Sequence, residues 1–169
     1  MALPPILKNW NLHVDGGSYL GQIASVTLPK VARLTEDYRG GGMGGAAELD
    51  LGMDKIVFEL KPGGLLPKLI GKFGHPRLDG VLLRFTGAYQ DDATGGWLAG
   101  EFVARGRFKE LDFGSAEAGS KNEQNITYTA TYVRMTAGGV EYLEWSLMPP
   151  KFVVNGVDRE AELRAILGV

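Results

Sequence analysis

The sequence predicts a single, mainly β domain: an antiparallel β-sandwich or barrel-like fold with one or two short helices and a long glycine-rich loop. Three observations point to it. Glycine is abundant, 25 of 169 residues, which suits a turn-rich, strand-rich chain better than a helix bundle. Long stretches alternate apolar and polar residues with a period of two. Turn signals rich in Gly, Asp and Pro separate those stretches. With 44% hydrophobic and 22% charged residues, the chain has the balance of an ordinary globular domain.

Each element follows from local pattern. Residues 1–15 read as an extended arm, because Pro4 and Pro5 forbid helix and Asp15-Gly16-Gly17 is a turn signal. In residues 19–28, Leu20, Ala24, Val26 and Leu28 share one side of a half-buried strand, which Pro29 ends. Residues 47–60 are strand-like. Leu49, Leu51 and Met53 share one face; Ile56, Phe58 and Leu60 share the next, so the parity change predicts a bulge or turn between Gly52 and Lys55. Leu66, Leu69, Ile70 and Phe73 fall at helical spacing and predict a short helix over 65–73, stopped by Gly74. Three long strands follow at 81–90, 97–113 and 124–136. The link Ala137-Gly138-Gly139 predicts a hairpin into 140–147. Residues 152–154 read as a short edge strand. Asp158 is the expected N-cap of a last helix with the stripe Leu163, Ile166 and Leu167, closed by Gly168.

Composition and motifs exclude several functions. Net charge is −2, too acidic for a nucleic-acid-binding surface that neutralises phosphates. There is no cysteine, so disulfides, thiolate zinc sites and thiol nucleophiles are excluded. The start lacks the positive-then-apolar order of a signal peptide, so the expectation is a protein kept in a cytoplasm or released by a route other than secretion. Gly40-x-Gly42-x-x-Gly45 formally matches a dinucleotide fingerprint, but an acidic stretch precedes it and a strand follows, where the fingerprint needs a strand and then a helix. His13 and His75, the two histidines, have no ligand partner at local spacing. The adjacent carboxylates Glu36-Asp37 and Asp91-Asp92 read as solvated loop residues, not an acid–base pair. No nucleophile elbow is present. No catalytic, cofactor-binding or metal-binding residue is therefore expected.

Two segments remain unexplained by a solitary domain. Thr35-Glu36-Asp37-Tyr38-Arg39 leads into five glycines within residues 40–45, an exposed loop of a kind that is usually functional or disordered. In the strand over 124–136, Ile126, Tyr128, Ala130 and Tyr132 share one face, and Asn125, Thr127, Thr129 and Thr131 the other. That second face is either an ordinary wet face of a sheet or the lining of a channel shared by several subunits. Long unprotected strands must also manage their edges or pair them with a neighbour.

The chain resembles the major tail tube proteins of contractile-tailed bacteriophages, as found in P2-like phages and R-type tailocins. The matching residues are Leu7-Lys8-Asn9-Trp10-Asn11-Leu12, Asp15-Gly16-Gly17-Ser18-Tyr19-Leu20-Gly21 and Val26-Thr27-Leu28-Pro29-Lys30. They continue with Thr35-Glu36-Asp37-Tyr38-Arg39-Gly40-Gly41-Gly42-Met43, Asp50-Leu51-Gly52-Met53 and Val154-Asn155-Gly156-Val157-Asp158. The match is densest in the first third. One departure is Gly44-Gly45-Ala46, where the family often carries bulkier residues or proline.

The resemblance implies one tail tube domain over 1–169, a β-barrel-like sandwich that forms homo-hexameric rings. The rings stack into a hollow tube inside a contractile sheath, with strands of all subunits joined around the lumen. Implied partners are the sheath, baseplate and tail-terminator proteins, with DNA passing unbound and no membrane anchor. The tube is a conduit for DNA or ions. The implied location is the virion tail, assembled in the bacterial host cytoplasm. Residues 33–46 become an inter-subunit loop, with Glu36, Asp37, Tyr38, Arg39, Gly40, Gly41, Gly42 and Met43 as ring-to-ring contacts. Glu101, Arg105, Arg107, Thr127, Thr129 and Thr131 are expected at the channel or its rim. The alternative is the inner tube of a related contractile injection or type VI secretion machine. A ligand-binding barrel or enzyme is a third class, distinguished by a closed apolar pocket in a monomer or dimer.

Overall fold

A computed structural model describes residues 3–169; Met1 and Ala2, the first two residues of the expected arm, lie outside the described residues. In chain order the strands and helices are β1 (Ile6–Val14), β2 (Gly17–Ser18), β3 (Ile23–Thr27), β4 (Arg33–Tyr38), β5 (Ala47–Met53), β6 (Ile56–Pro62), α1 (Pro67–Ile70) and β7 (Val81–Gln90). They continue with β8 (Trp97–Asp112), β9 (Asn125–Ala137), β10 (Val140–Ser146), β11 (Lys151–Val154), β12 (Val157–Asp158) and α2 (Ala161–Leu167). All pairings are antiparallel. A ten-stranded sheet runs β12-β11-β10-β9-β8-β7-β1-β2, with β6 and β3 branching from β9. A separate two-stranded sheet holds β4 and β5.

The branch at β9 organises the sheet. β8 pairs along the whole of one edge of β9. On the other edge, 126–130 pair with β6 and 132–137 pair with β10. Thr131 lies at the fork. Across β8 it is the extra residue of a bulge, since Arg105 faces Tyr132 and Gly106 faces Ala130. A bulge shifts which residues point inward. Ile126, Tyr128 and Ala130 enter the core before it, and Val133 after it. Strict alternation had put Tyr132 on the core face. The bulge instead leaves Tyr132 half-buried, donating its hydroxyl to Glu144 at 3.0 Å.

The core lies in the curve of this sheet. Ile56, Phe58 and Leu60 of β6, Val81, Leu83 and Phe85 of β7, and Leu12 and Val14 of β1 point into it. These strands alternate as their sequences predict. Tyr128 joins three of their neighbours. Its ring meets Phe58 and Phe108 edge-on at 5.8 and 5.6 Å, and its hydroxyl donates to the Val81 carbonyl at 2.8 Å. Desolvation by its surroundings pushes the Tyr128 phenol well above its ordinary pKa, so it acts as a neutral donor.

Four segments differ from expectation. The strand expected over 19–28 is shortened to β3, where a bulge after Ile23 puts Ile23 in the core and leaves Leu20 and Ala24 exposed. Residues 6–14, read as part of an arm, are extended but form β1, paired with β7 over most of its length. Leu12 and Val14 supply apolar partners within this same chain. The helix expected over 65–73 is a single turn, Pro67–Ile70, started by Pro67; Lys72 and Phe73 continue it only as i→i+3 turns. Leu69 still reaches the core, while Phe73 stays exposed. Asp158 is not the N-cap. Glu160 is, and Asp158 sits two residues earlier, accepting the Glu160 N–H at 3.0 Å and the Arg164 guanidinium. The Arg164 guanidinium first, then that N–H, hold the Asp158 carboxyl below its ordinary pKa. Arg164 also donates to the Pro150 carbonyl at 3.0 Å, so polar contacts hold α2 while Leu163, Ile166 and Leu167 remain exposed.

Gly106 makes the fork possible. A β-carbon there would lie 2.1 Å from the Thr129 carbonyl oxygen and 2.8 Å from the Ala130 α-carbon, both backbone atoms. Gly106→Ala is expected to destabilise the chain by about 1–3 kcal/mol through overpacking. Urea unfolding measures it, and a midpoint equal to wild type would contradict the close approach.

Candidate functional site

The β4–β5 hairpin is the least supported part of the molecule and the strongest candidate for assembly. Register runs from Arg33 opposite Met53 to Tyr38 opposite Ala47, with one bulge at Leu51. Every residue of β4 is exposed. A lone two-stranded ribbon is at best marginally stable in water. Its base is anchored. The Asp54 N–H donates to the Ala32 carbonyl at 2.9 Å, and Arg33 pairs with Asp50 at 2.8 Å while its guanidinium lies 5.8 Å from the Phe152 ring centroid. At the tip, residues 39–46 turn through a Gly40 carbonyl to Met43 N–H bond, with Gly42 at a φ of 85°. The Gly40 N–H donates back to the Met43 sulfur at 3.0 Å.

The hairpin has two unlike faces. Pairing places Leu34, Glu36, Tyr38, Ala47 and Leu49 on one, and Thr35, Asp37, Glu48 and Asp50 on the other. Exposures of 48% for Leu34, 54% for Tyr38 and 48% for Leu49 leave the first as an apolar surface that nothing in the chain covers. On the second, Asp37 stands directly opposite Glu48, a repulsive placement. Among the described residues, Asp50 alone on that face has a cation. The Gly52 N–H and then Arg33 hold its carboxyl below the ordinary value. The expected loop thus splits: Glu36, Asp37 and Tyr38 belong to β4, and Arg39, Gly40, Gly41, Gly42 and Met43 to the tip. Glu48 and Asp50, absent from the expected set, complete the acidic face. Counting parity across the hairpin finds them once the register is known.

The six residues expected at the channel share the side of the sheet away from the core, with Thr131 at the bulge. Glu101 pairs with Arg84 at 2.8 Å. Thr127 sits across from Glu59 on β6 and Glu110 on β8. Arg107 is opposite Thr129, and both join Thr131, Lys55, His75 and Lys109 around a groove of about 530 Å³. Arg105 and Arg107 form no ion pair among the described residues. Sequence marked His75 as a histidine without a local ligand partner and did not mark Lys55 or Lys109, because the groove is gathered from four separate segments. His75 is in a turn, accepting the Arg77 N–H at 3.2 Å; His13 is on β1. Among the described residues, no group of three His, Cys, Asp or Glu side chains is arranged to hold a metal ion.

An exposed hairpin, a charged groove and a β-sheet with open edges define a protein built to contact other chains. Comparison with known proteins gives the family. The family model for phage tail tube protein FII matches residues 4–168. The tail tube protein of Escherichia phage P2 is 41% identical over 172 residues, covering all of both chains. The major tail tube protein of Serratia phage KSP20 is 39% identical over 150 residues, covering 88% of this chain and 86% of that one. A similar fold occurs in the sheath–tube complex of an extracellular contractile injection system, with a TM-score of 0.57, 18% identity and coverage of 79% of this chain and 92% of that one. This chain belongs to the phage tail tube protein FII family. It is a structural component of the virion tail, not an enzyme.

Replacing one of the opposed acids should calm the hairpin. Glu48→Lys turns a repulsive cross-strand pair into an attractive one, worth roughly 0.2–1 kcal/mol. In the unassembled protein, amide exchange across β4 and β5 is expected to slow by about twofold or more. Unchanged or faster exchange would mean that Asp37 and Glu48 do not face each other.

Proposed function

We propose that residues 1–169 act as one tube domain, that six copies close into a ring, and that rings stack into the hollow inner tube of a contractile phage tail. The observation that carries this reading is the β4–β5 hairpin, an ordered ribbon with no cover of its own in a chain of tail tube ancestry. Residues 33–46 are then the inter-subunit loop. Glu36, Asp37, Tyr38 and Arg39 supply charge and an aromatic surface, Gly40, Gly41 and Gly42 allow close backbone approach, and Met43 fills an irregular apolar gap. The open edge of β3, and the part of β1 that the short β2 leaves unpaired, are available to strands of neighbouring copies, and closing the sheet around a ring removes exposed edges.

In this arrangement Glu101, Arg105, Arg107, Thr127, Thr129 and Thr131, on one side of the sheet, face the channel or its rim. Glu59 and Glu110 beside Thr127 give the wall acids that repel phosphate, so DNA passes without specific binding. Sheath, baseplate and tail-terminator proteins are the partners of such a tube. Identity of 41% to a phage tube protein favours a phage tail over the inner tube of an injection or type VI secretion machine.

Electron microscopy of the purified protein tests the reading directly. Tubes or six-fold rings are expected; a persistent monomer or dimer would overturn it. Deleting residues 40–45 is expected to leave a folded monomer or single ring that does not polymerise, and tubes of normal length from that variant would remove the loop from the ring-to-ring contact.

The channel assignment has its own test. The wild-type chain has no cysteine, so Thr127→Cys introduces a single thiol. In assembled tubes it is expected to resist a water-soluble reagent too bulky to enter the lumen. Rapid labelling from outside would reverse the orientation.

A further inference from the structure

The acidic hairpin face and the basic groove are complementary, and we propose that they meet between copies. The Thr35, Asp37, Glu48 and Asp50 face of one hairpin docks on Lys55, Arg107 and Lys109 of a chain in the adjacent ring. This rests on the stacked-ring reading above and names the surface that receives the hairpin.

Four observations carry it. First, Asp37 and Glu48 face each other with no cation between them, so the hairpin gains when cations are brought from elsewhere. Second, the groove of about 530 Å³ is lined by Lys55, Arg107 and Lys109 with no acid among its lining residues. None of the three forms an ion pair among the described residues. Third, the chain's own hairpin is badly placed to fill it. Lys55 at the groove stands two residues beyond the end of β5, so the hairpin springs from the groove's rim and carries Glu48 roughly 20 Å away along extended backbone. Fourth, hairpin and groove are different surfaces. A contact between different surfaces is head-to-tail, and it repeats from copy to copy without closing on itself when the chains lie in successive rings. The pairing also gives Arg107 a carboxylate partner, which removes a phosphate-binding cation from the mouth of the channel.

Charge reversal tests it. Asp37→Lys with Glu48→Lys, and separately Arg107→Glu with Lys109→Glu, are each expected to keep the wild-type far-ultraviolet circular dichroism and to lose tube growth. Combining all four changes in one chain is expected to restore tubes. Where the groove reversal disturbs folding, Arg107→Gln with Lys109→Gln replaces it, with shortened tubes expected. A second measurement uses the absence of cysteine from the wild type: copies carrying Asp37→Cys are mixed with copies carrying Arg107→Cys and assembled under oxidising conditions. Disulfide-linked dimers are expected only in the mixture. Normal tubes from the groove variants, no rescue by the combined swap, or no cross-link would overturn the pairing and leave the groove's cations to other ligands. Failure of the wild type itself to form rings or tubes would instead sink the stacked-ring reading on which the pairing rests.

Discussion

One strand, β9, has to serve three others, and the rest of the sheet is arranged around how it does so. Its first half carries β6 and its second half β10, on the same edge, while β8 follows the whole of the opposite edge. Two neighbours on one edge cannot both continue a flat ladder. The Thr131 bulge turns the strand between them, and Gly106 allows β8 to stay close while it turns. The hydrogen bond from the Leu147 N–H to the Thr131 carbonyl, 2.9 Å, occupies the fork on the β10 side. Tyr128 then locks the first half of β9 to the core from below. Core burial and the outward face that carries Thr127, Thr129 and Arg107 are therefore set by the same local feature.

The surfaces proposed for assembly lie where intrachain packing does not reach. The hairpin is held at its base, where Arg33 reaches Phe152 and Glu160, and α2 is held through Arg164 and that same Glu160. Both present apolar side chains to solvent. A free ribbon with two open edges invites pairing with any other strand. The acids on one of its faces counter this, because two such hairpins brought together would repel. The ribbon is thus selective before it docks: apolar on one face, acidic on the other, and repelled by its own kind. A heterologous contact needs such asymmetry, since the patch must recognise a different surface and reject itself.

Short-range sequence pattern was enough for much of this. Glycine pairs and proline mark turns by backbone conformation alone, so the hairpin at Gly138-Gly139, both at positive φ, and the strand over 81–90 were legible. Alternation in Ile56, Phe58 and Leu60 showed which side of β6 is buried. The break between β5 and β6 was visible as a change of parity. The glycine-rich character of 40–45 marked an exposed tip, and the family resemblance rested on residues in order, not on composition.

Tertiary structure decided what depends on pairing between distant segments. Alternation within a strand cannot announce a bulge, because the extra residue is defined by the partner strand; hence Tyr132 left the core face and Val133 took its place. Residues 6–14 look like an arm until β7 supplies the other half of the ladder. The stripe of α2 looks like a core face until Arg164, bound to Asp158 and Pro150, holds the helix with Leu163, Ile166 and Leu167 outward. The basic groove exists because Arg107 and Lys109 of β8 meet Lys55 from the link between β5 and β6. By itself the sequence determined a β-rich chain of the tail tube kind with one exposed glycine-rich segment, through local conformational preference and residue order. Which side chains that segment presents on each face, and which cations gather in one groove, followed from register, a non-local property that only the folded chain possesses.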